Sequence, residues 1–408
     1  MTHFTGLRLE EWQQFRSVDL EFHPRLTVLT GANASGKTTI LNLLARHADW
    51  RVPALSVPRR SALTGVMGYV TRFFGGRDRS TEDVIGSISY ASGQSARLSV
   101  PPEARADYQV NIEGQQPVPC FFVPSHRAVY RYEALQQIPA ARLTKQEAFN
   151  RVQNSTKNRY LGGGERSSSF HMKESLVSWS IFGRGNPDME ADAELLELYE
   201  GFQETLRRVL PPTLGFRGLS IRRLEIVLEC DSGDFMMDGA SGGLSTLIDL
   251  AWQIYMFASE DTDGFTVLID EVENHLHPTM QRIILSDLLE AFPRARFIVS
   301  THSPLMVNSV RDCAVYVLRY NAERQVMSER LDFENRAATA SQVLDEVLGV
   351  STTIPVWAEQ ELESVLQRLA GRNLNEELFT EFREALGAIG LQHYVPEALG
   401  RLLDSPKQ

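Results

Sequence analysis

The stretch Gly31-Ala32-Asn33-Ala34-Ser35-Gly36-Lys37-Thr38-Thr39 has the residue types and spacing to hold a phosphate chain. It fits the pattern G-x-x-x-x-G-K-[ST], which carries meaning only between a strand and a helix. Arg25–Thr30 before it is a β-branched apolar run, and Ile40–Ala45 after it continues at helical spacing. Glycines let the backbone N–H groups turn inward on an anion, and the helix N-terminus adds partial positive charge. In such a loop Gly31, Asn33, Ala34, Ser35, Gly36, Lys37, Thr38 and Thr39 surround the nucleotide. Lys37 reaches the β- and γ-phosphates and acts on the transferring group, while the Thr38 hydroxyl ligates Mg²⁺. The cofactors read from this stretch are ATP and Mg²⁺. A chance glycine-rich turn is the competing reading, and it loses ground as further motifs accumulate.

Phe265–Ile269 is a wholly apolar strand that delivers Asp270 and Glu271 to its C-terminal tip. In a parallel α/β sheet that tip faces the ligand crevice. Asp270 is suited to the Mg²⁺ shell, and Glu271 to orienting and deprotonating an attacking water. Arg296–Ser300 is another buried strand, and His302 just beyond it is placed to touch the γ-phosphate. Ser241-Gly242-Gly243 feeds a helix over Thr246–Ala258 and forms a second anion-binding turn, a weak signal by itself. Cys120–Val123 leads to a polar tip, Ser125-His126-Arg127. Such a tip points at the ligand or a neighbouring subunit, with a plain surface loop as the alternative. Trp12, Phe15 and Arg16 offer a plane against adenine, or else a packed turn. His275 and His277 beside Glu271 and Glu273 invite a metal reading, yet histidines spaced like this next to an apolar strand need no metal.

The elements that must position these groups follow from hydrophobic periodicity. Alternation through residues 6–30 predicts three short strands leading into the loop. Ile85–Tyr90, Ala96–Val100 and Tyr108–Ile112 read as a meander. Glu190–Leu210 is a helix stopped by Pro211-Pro212, and Ile221–Cys230 with Asp234–Met237 reads as a hairpin around Ser232-Gly233. A further helix is expected from about Thr279 to Phe292 and a strand over Ala314–Tyr320, with mostly helical chain from Ala338 onward. The expected class is α/β, with residues 1–45 as the N-terminal part of a nucleotide-binding head and 46–214 as an insertion. Residues 215–335 complete the head, and 336–408 form a small helical appendage suited to docking or packing.

At 408 residues and 43% hydrophobic content the chain can bury a large core, and its length suggests two or three domains. No apolar run is long enough to cross a bilayer and no leader is visible, so a cytoplasmic protein without membrane contact is expected. Cys120, Cys230 and Cys313 are isolated, which argues against a disulfide framework or a cysteine-rich zinc site. A net charge of −11 excludes a wholly basic nucleic-acid-coating surface. From Arg142 to Lys173, however, seven cations face two anions, a local balance of +5. With Gly162–Gly164 and Ser167–Ser169 inside it, this stretch reads as a mobile basic arm, or as a solvated lid without a partner.

The Gly31–Thr39 loop, the Ser241-Gly242-Gly243 turn, Leu268–Glu271 and Ser300–Pro304 stand in the order that resembles ABC-type ATPases of the SMC, RecF and OLD lineage. The run Asp270–Pro278 is most similar to AAA family ATPases such as OLD proteins and the ATPase subunits of Septu and PARIS anti-phage systems. The resemblance implies two heads that sandwich ATP, with Ser241, Gly242 and Gly243 of one contacting the γ-phosphate held by the other. It covers roughly residues 1–45 and 215–320. No glutamine-loop residue can be placed, unless the Ser125-His126-Arg127 tip stands there, and Ala240 replaces the leucine usual before the signature serine. No heptad arm is present, Asp261-Thr262-Asp263 lies outside any Toprim position, and no His-Asn-His nuclease cluster is visible. The expectation is therefore a homo-oligomeric sensor or scaffold ATPase in anti-phage defence, controlling a separate effector, a nuclease in many such systems. The alternative is a RecF-like repair ATPase whose basic arm binds duplex DNA; a phage protein is another partner open to that arm. A transporter nucleotide-binding subunit fits the Glu273–Pro278 run and the long insertion poorly.

Overall fold

The computed structural model describes residues 2–60, 67–70, 83–101, 106–127, 130–138, 142–160, 162–163, 166–258, 264–331, 343–344, 356–369, 376–388, 390–391 and 395. The chain forms two compact units, Met1–Val343 and Leu344–Gln408.

The first unit opens with β1 (Phe4–Trp12), β2 (Phe15–Glu21), β3 (Leu26–Gly31) and α1 (Lys37–Ala45). Short strands follow: β4 (Ala54–Leu55), β5 (Val57–Arg60), β6 (Met67–Val70), β7 (Asp83–Tyr90), β8 (Ser95–Val100), β9 (Asp107–Tyr108), β10 (Asn111–Glu113) and β11 (Cys120–Val123). Three helices come next, α2 (Lys145–Tyr160), α3 (Ser168–Arg184) and α4 (Ala193–Val209), then β12 (Phe216–Arg222), β13 (Glu225–Cys230), β14 (Phe235–Met236) and α5 (Gly242–Phe257). The unit closes with β15 (Phe265–Ile269), α6 (Pro278–Gln281), α7 (Ile284–Ala291), β16 (Ala295–Ser300), α8 (Pro304–Val307), β17 (Ala314–Tyr320) and β18 (Val326–Arg330).

One sheet of 11 strands runs β10-β8-β7-β1-β2-β18-β17-β3-β16-β15-β11. Its half from β17 to β11 is parallel, and the pairings β17–β18, β1–β2, β1–β7, β7–β8 and β8–β10 are antiparallel. Composition explains the division. β3, β15 and β11 are buried along their whole lengths, as strands covered on both faces must be. β2 alternates buried and exposed residues, as a strand with one wet face does. α1 lays Ile40, Leu41 and Leu44 into the core shared with β1, β2 and β7. On the parallel half, Phe121 of β11 meets Phe149 of α2 and Phe257 of α5 at ring separations of 5.5 and 4.9 Å. Trp179 of α3 stacks on Trp252 of α5 at 5.4 Å, and Phe202 of α4 adds an edge contact at 5.0 Å. These rings seat α5 in the middle of a helical layer.

Several expectations are corrected. The Arg142–Lys173 stretch is not a mobile arm in its described residues: it contains α2 and the start of α3, and its cations are largely engaged by the chain's own groups. Arg142 pairs with Asp192 and Glu194, Arg151 with Glu174, Lys157 with Asp49 and Arg166 with Glu133. Lys173 is buried between Glu225 and Asp238, at 2.8 and 2.6 Å. Sequence composition registered the charge but not the carboxylates outside the stretch, of which Asp49, Glu225 and Asp238 arrive from distant segments. Ile221–Cys230 is not one strand either. Arg223 and Leu224 both take positive φ, 54° and 65°, and close a two-residue turn between β12 and β13. That geometry is usually marked by Asn or Gly, so nothing in the sequence announced it. The Thr279–Phe292 helix is broken at Arg282-Ile283 into α6 and α7. Asp261-Thr262-Asp263 lies outside the described residues.

In the second unit, α9 (Val356–Leu369) and α10 (Glu376–Ala388) share a core of Leu362, Leu369, Leu378, Phe382 and Leu386.

Candidate functional site

The strand tips assemble the site. β3 is paired with β17 on one side and β16 on the other, and β16 with β15, all parallel. The C-terminal ends of β3, β15 and β16 therefore emerge together, each carrying polar residues. Thr301 N–H donates to Leu29 O at 2.9 Å, which locks the His302 segment beside the loop. The loop itself needs its glycines. Gly36 has φ +95°, and a Cβ there would lie 2.3 Å from the Phe15 ring. Gly31 has φ +141°, with Leu318 O 2.5 Å from the position of a Cβ. Any other residue at either place would collide and be strained.

Lys37 is buried at the head of α1, and its Nζ donates to Gly31 O and Ala32 O, both at 3.0 Å. Desolvation pushes its pKa down from 10.5 to about 8, against the pull of Asp270, Glu271 and Glu273. Thr38 Oγ1 donates to Asp270 Oδ2 at 2.9 Å, and Ser300 Oγ donates to Asp270 Oδ1 at 2.5 Å. Burial raises the Asp270 pKa, and the two hydroxyls oppose that rise. The next residue, Glu271, sits at φ 46°. Its N–H donates to Ser300 Oγ at 2.8 Å, so one serine hydroxyl orders both carboxylate positions. Asn274 Nδ2 donates to Glu271 Oε2 at 2.8 Å and to Ser125 O at 3.0 Å. The other carboxylate oxygen, Oε1, is 3.8 Å from His302 Nε2.

His302 lies between charges. Its Nδ1 is 3.5 Å from Lys37 Nζ, and its N–H donates to Glu273 Oε1 at 2.5 Å. Burial, then Lys37, lowers its pKa, which favours neutral imidazole. An ammonium can only donate, so Nδ1 accepts from Lys37 and the ring proton sits on Nε2, facing Glu271.

A cleft of about 790 Å³ opens over these groups and is lined by Asn33, Ala34, Gly36, Lys37, Thr38, Thr39, Glu271 and His302. Gln14, Tyr320 and Arg324 also line it. Gly31, Ser35 and Asp270 lie beneath. The Ser35 hydroxyl is buried with no hydrogen-bond partner, a donor that an anion's oxygen would satisfy. Thr38 and Asp270 offer one hydroxyl and one carboxylate, the hard oxygen ligands that Mg²⁺ accepts beside phosphate oxygens. The donor set fits Mg²⁺ with a phosphate chain.

Ser241, Gly242 and Gly243 do not line this cleft. Ser241 caps α5 by accepting from Leu244 N–H, and a Cβ on Gly243 would lie 3.0 Å from His275 O. Of the two readings of the β1–β2 turn, the structure has the packed one. Trp12 and Phe15 are buried and stacked on each other, and Arg16 is paired with Glu11. A second cavity of about 530 Å³ does border that turn, lined by Trp12, Gln13, Gln14, Thr39, Asn42 and Arg46 among others. His126 is exposed, whereas Arg127 is buried and directed away from the cleft, toward the carbonyls of Glu271 and Val272. Sequence reasoning assigned no role to Ser300, Asn274, Gln14, Tyr320 or Arg324. For Ser300 a signal existed: it is the one polar residue closing the apolar Phe297–Val299 run, beside the strand that bears Asp270.

Two family profiles match, each described as an AAA domain. One covers residues 7–63; the other, “AAA domain, putative AbiEii toxin, Type IV TA system”, covers residues 180–308. Both stretches that supply the cleft thus carry AAA-domain sequence, which supports ATPase activity. The residues of the cleft fall within these two matched stretches, apart from Tyr320 and Arg324. Among curated proteins, the chain is 34% identical over 125 residues to Septu protein PtuA of Bacillus mycoides, covering 29% of this chain and 18% of that one. It is 26% identical over 193 residues to the “Retron Ec83 probable ATPase” of Escherichia coli, covering 45% of this chain and 34% of the relative. The chain thus spans less than half the length of either relative. Among solved structures, the SMC head domain from Thermotoga maritima aligns with a TM-score of 0.42 at 13% identity, covering 81% of this chain and 99% of that one.

Proposed function

We propose that this chain is the ATP-binding and hydrolysing subunit of a cytoplasmic anti-phage defence assembly, in which two copies pair across MgATP and control a separate effector, a nuclease. The observation that carries the catalytic part is the meeting of Lys37, Thr38, Asp270, Glu271 and His302 around one cleft. Lys37 supplies fixed positive charge to the terminal phosphates. Thr38 and Asp270 hold the cation, and Mg²⁺ when bound neutralises phosphate charge. Asn274 occupies Glu271 Oε2, so Oε1 is the atom that accepts a proton from the attacking water. His302 Nε2–H faces Oε1 and, as part of the cleft lining, would be available to a phosphate bound there. Ser241, Gly242 and Gly243 lie outside the cleft of their own chain, which suits contact with the γ-phosphate held by a second copy. The defence role is supported by similarity to Septu PtuA and a retron ATPase.

The test is to purify tagged Glu271→Gln from its host in MgATP and determine mass and composition. An ATP-dependent dimer carrying a stoichiometric nuclease is expected. A monomer in saturating ATP overturns the pairing, and a dimer that brings down nucleic acid but no protein overturns the effector.

A further inference from the structure

The nucleotide chemistry leaves one buried cation unexplained. Arg127 follows β11, is 8% exposed, and donates from NH2 to Glu271 O at 3.2 Å and from NH1 to Val272 O at 3.4 Å. Those carbonyls belong to the turn that presents the Glu271 carboxylate. That turn is held in the left-handed region at Glu271, φ 46°, a conformation that persists only when its surroundings impose it. The segment after β11 imposes it twice. Arg127 grips the main chain, and Ser125 O anchors the Asn274 amide that holds Glu271 Oε2.

A guanidinium in the interior also needs an opposing charge. Asp249, 5% exposed in the middle of α5, contributes through space, as do Glu273, Asp270 and Glu271. Asp249 is itself held by a polar chain through the helical layer. Gln253 Nε2 donates to Asp249 Oδ2 at 2.6 Å, and Gln153 Nε2 of α2 donates to Gln253 Oε1 at 2.5 Å. Arg127 Nε is buried without a hydrogen-bond partner, so Arg127 is not saturated by its present neighbours. Apolar packing alone would hold α5 against β11 through Phe121 and Phe257. The carboxylates around Arg127 act on it through space and offset the cost of its burial.

We infer that Arg127 is a positioning residue: together with Ser125 O, which acts through Asn274, it holds the Glu271 turn in its left-handed conformation and so fixes where the Glu271 carboxylate points. This rests on reading Glu271 as the group that orients water.

The test compares wild type with Arg127→Lys, Asp249→Asn and the double variant Arg127→Met/Asp249→Asn, which leaves no uncompensated buried charge. Steady-state ATP turnover, equilibrium binding of a fluorescent ATP analogue and amide hydrogen exchange are read on each. In the double variant kcat is expected to fall at least about tenfold with KM and analogue affinity within about threefold of wild type. Exchange at the Glu271 and Val272 amides should quicken about tenfold or more while the β3 and β16 amides keep their protection. Arg127→Lys should recover part of the lost kcat. Unchanged kcat with unchanged local exchange overturns the inference. So does a joint fall of affinity and kcat with faster exchange throughout, which marks a merely structural pair. If wild type shows no Lys37-dependent turnover, the ATPase reading itself fails. Local exchange at Glu271 then still decides whether Arg127 positions the turn: quickened exchange supports it and unchanged exchange refutes it.

Discussion

Replacing Lys37 by Met should stabilise the nucleotide-free protein at neutral pH while abolishing ATP binding, and the pH dependence of the effect identifies its cause. Lys37 is buried, and desolvation pulls its pKa from 10.5 to about 8. The gap corresponds to about 3 kcal/mol of differential stability between the protonation states. For a cation with a depressed folded pKa, the unfolded chain binds more protons between the folded and unfolded values. Stability of the wild type therefore rises with pH across that interval, and the full penalty is present below about pH 8. Loss of the hydrogen bonds to Gly31 O and Ala32 O, worth about 1 kcal/mol each, offsets part of the gain from Lys37→Met at every pH. Those contact losses do not depend on protonation, so the difference between the two proteins isolates the lysine. Chemical denaturation of both, at steps from pH 7 to pH 10.5, should show the wild type gaining about 3 kcal/mol relative to the variant. Groups whose surroundings are the same in both proteins cancel. Parallel curves would refute the argument. The same reasoning predicts uptake of roughly half a proton when ATP binds at pH 8, because phosphate restores the ammonium. Calorimetry in buffers of different ionisation enthalpy reads that uptake directly, and none should be seen with Lys37→Met.

Glu271→Gln should retain ATP affinity and lose about 10²–10⁴-fold in turnover, measured by phosphate release; turnover near wild type would remove Glu271 from its role. Ser300→Ala deletes the hydroxyl that donates to Asp270 and accepts from the Glu271 amide. Its kcat should fall about 10–100-fold, as for loss of a group that orients a ligand, with partial recovery in Ser300→Thr. Gly36→Ala would push a Cβ to 2.3 Å from the Phe15 ring at φ +95°. A loss of about 2 kcal/mol in stability and more than about tenfold in nucleotide affinity is expected, and an unchanged melting temperature would refute the close packing of Gly36 against Phe15.

Much of the site was legible in the chain because its chemistry is local. A phosphate loop needs two glycines, a lysine and a threonine at fixed spacing, and Gly31–Thr39 provides them within one turn of backbone. The apolar strand Phe265–Ile269 declares its own burial, and with it the placement of Asp270 and Glu271 at a strand tip. Local periodicity likewise marked β1, β2, β3 and the helix ending at Val209. What the sequence by itself determined was the class of ligand and which strands bear the reacting groups.

Tertiary structure decided how those groups are held. Ser300 lies far along the chain from Thr38, yet both hydroxyls reach one Asp270 carboxylate because β16 separates β3 from β15. Arg127 looks in the sequence like a polar tip aimed at ligand; folding turns it inward, since the carbonyls of a left-handed turn and Asp249 of α5 outcompete solvent there. The Arg142–Lys173 cations looked like a free basic arm until Asp49, Asp192, Glu225 and Asp238 arrived from other segments. Coulomb attraction acts through space and ignores sequence distance, so pairing of charges is the property that a linear reading misses most readily.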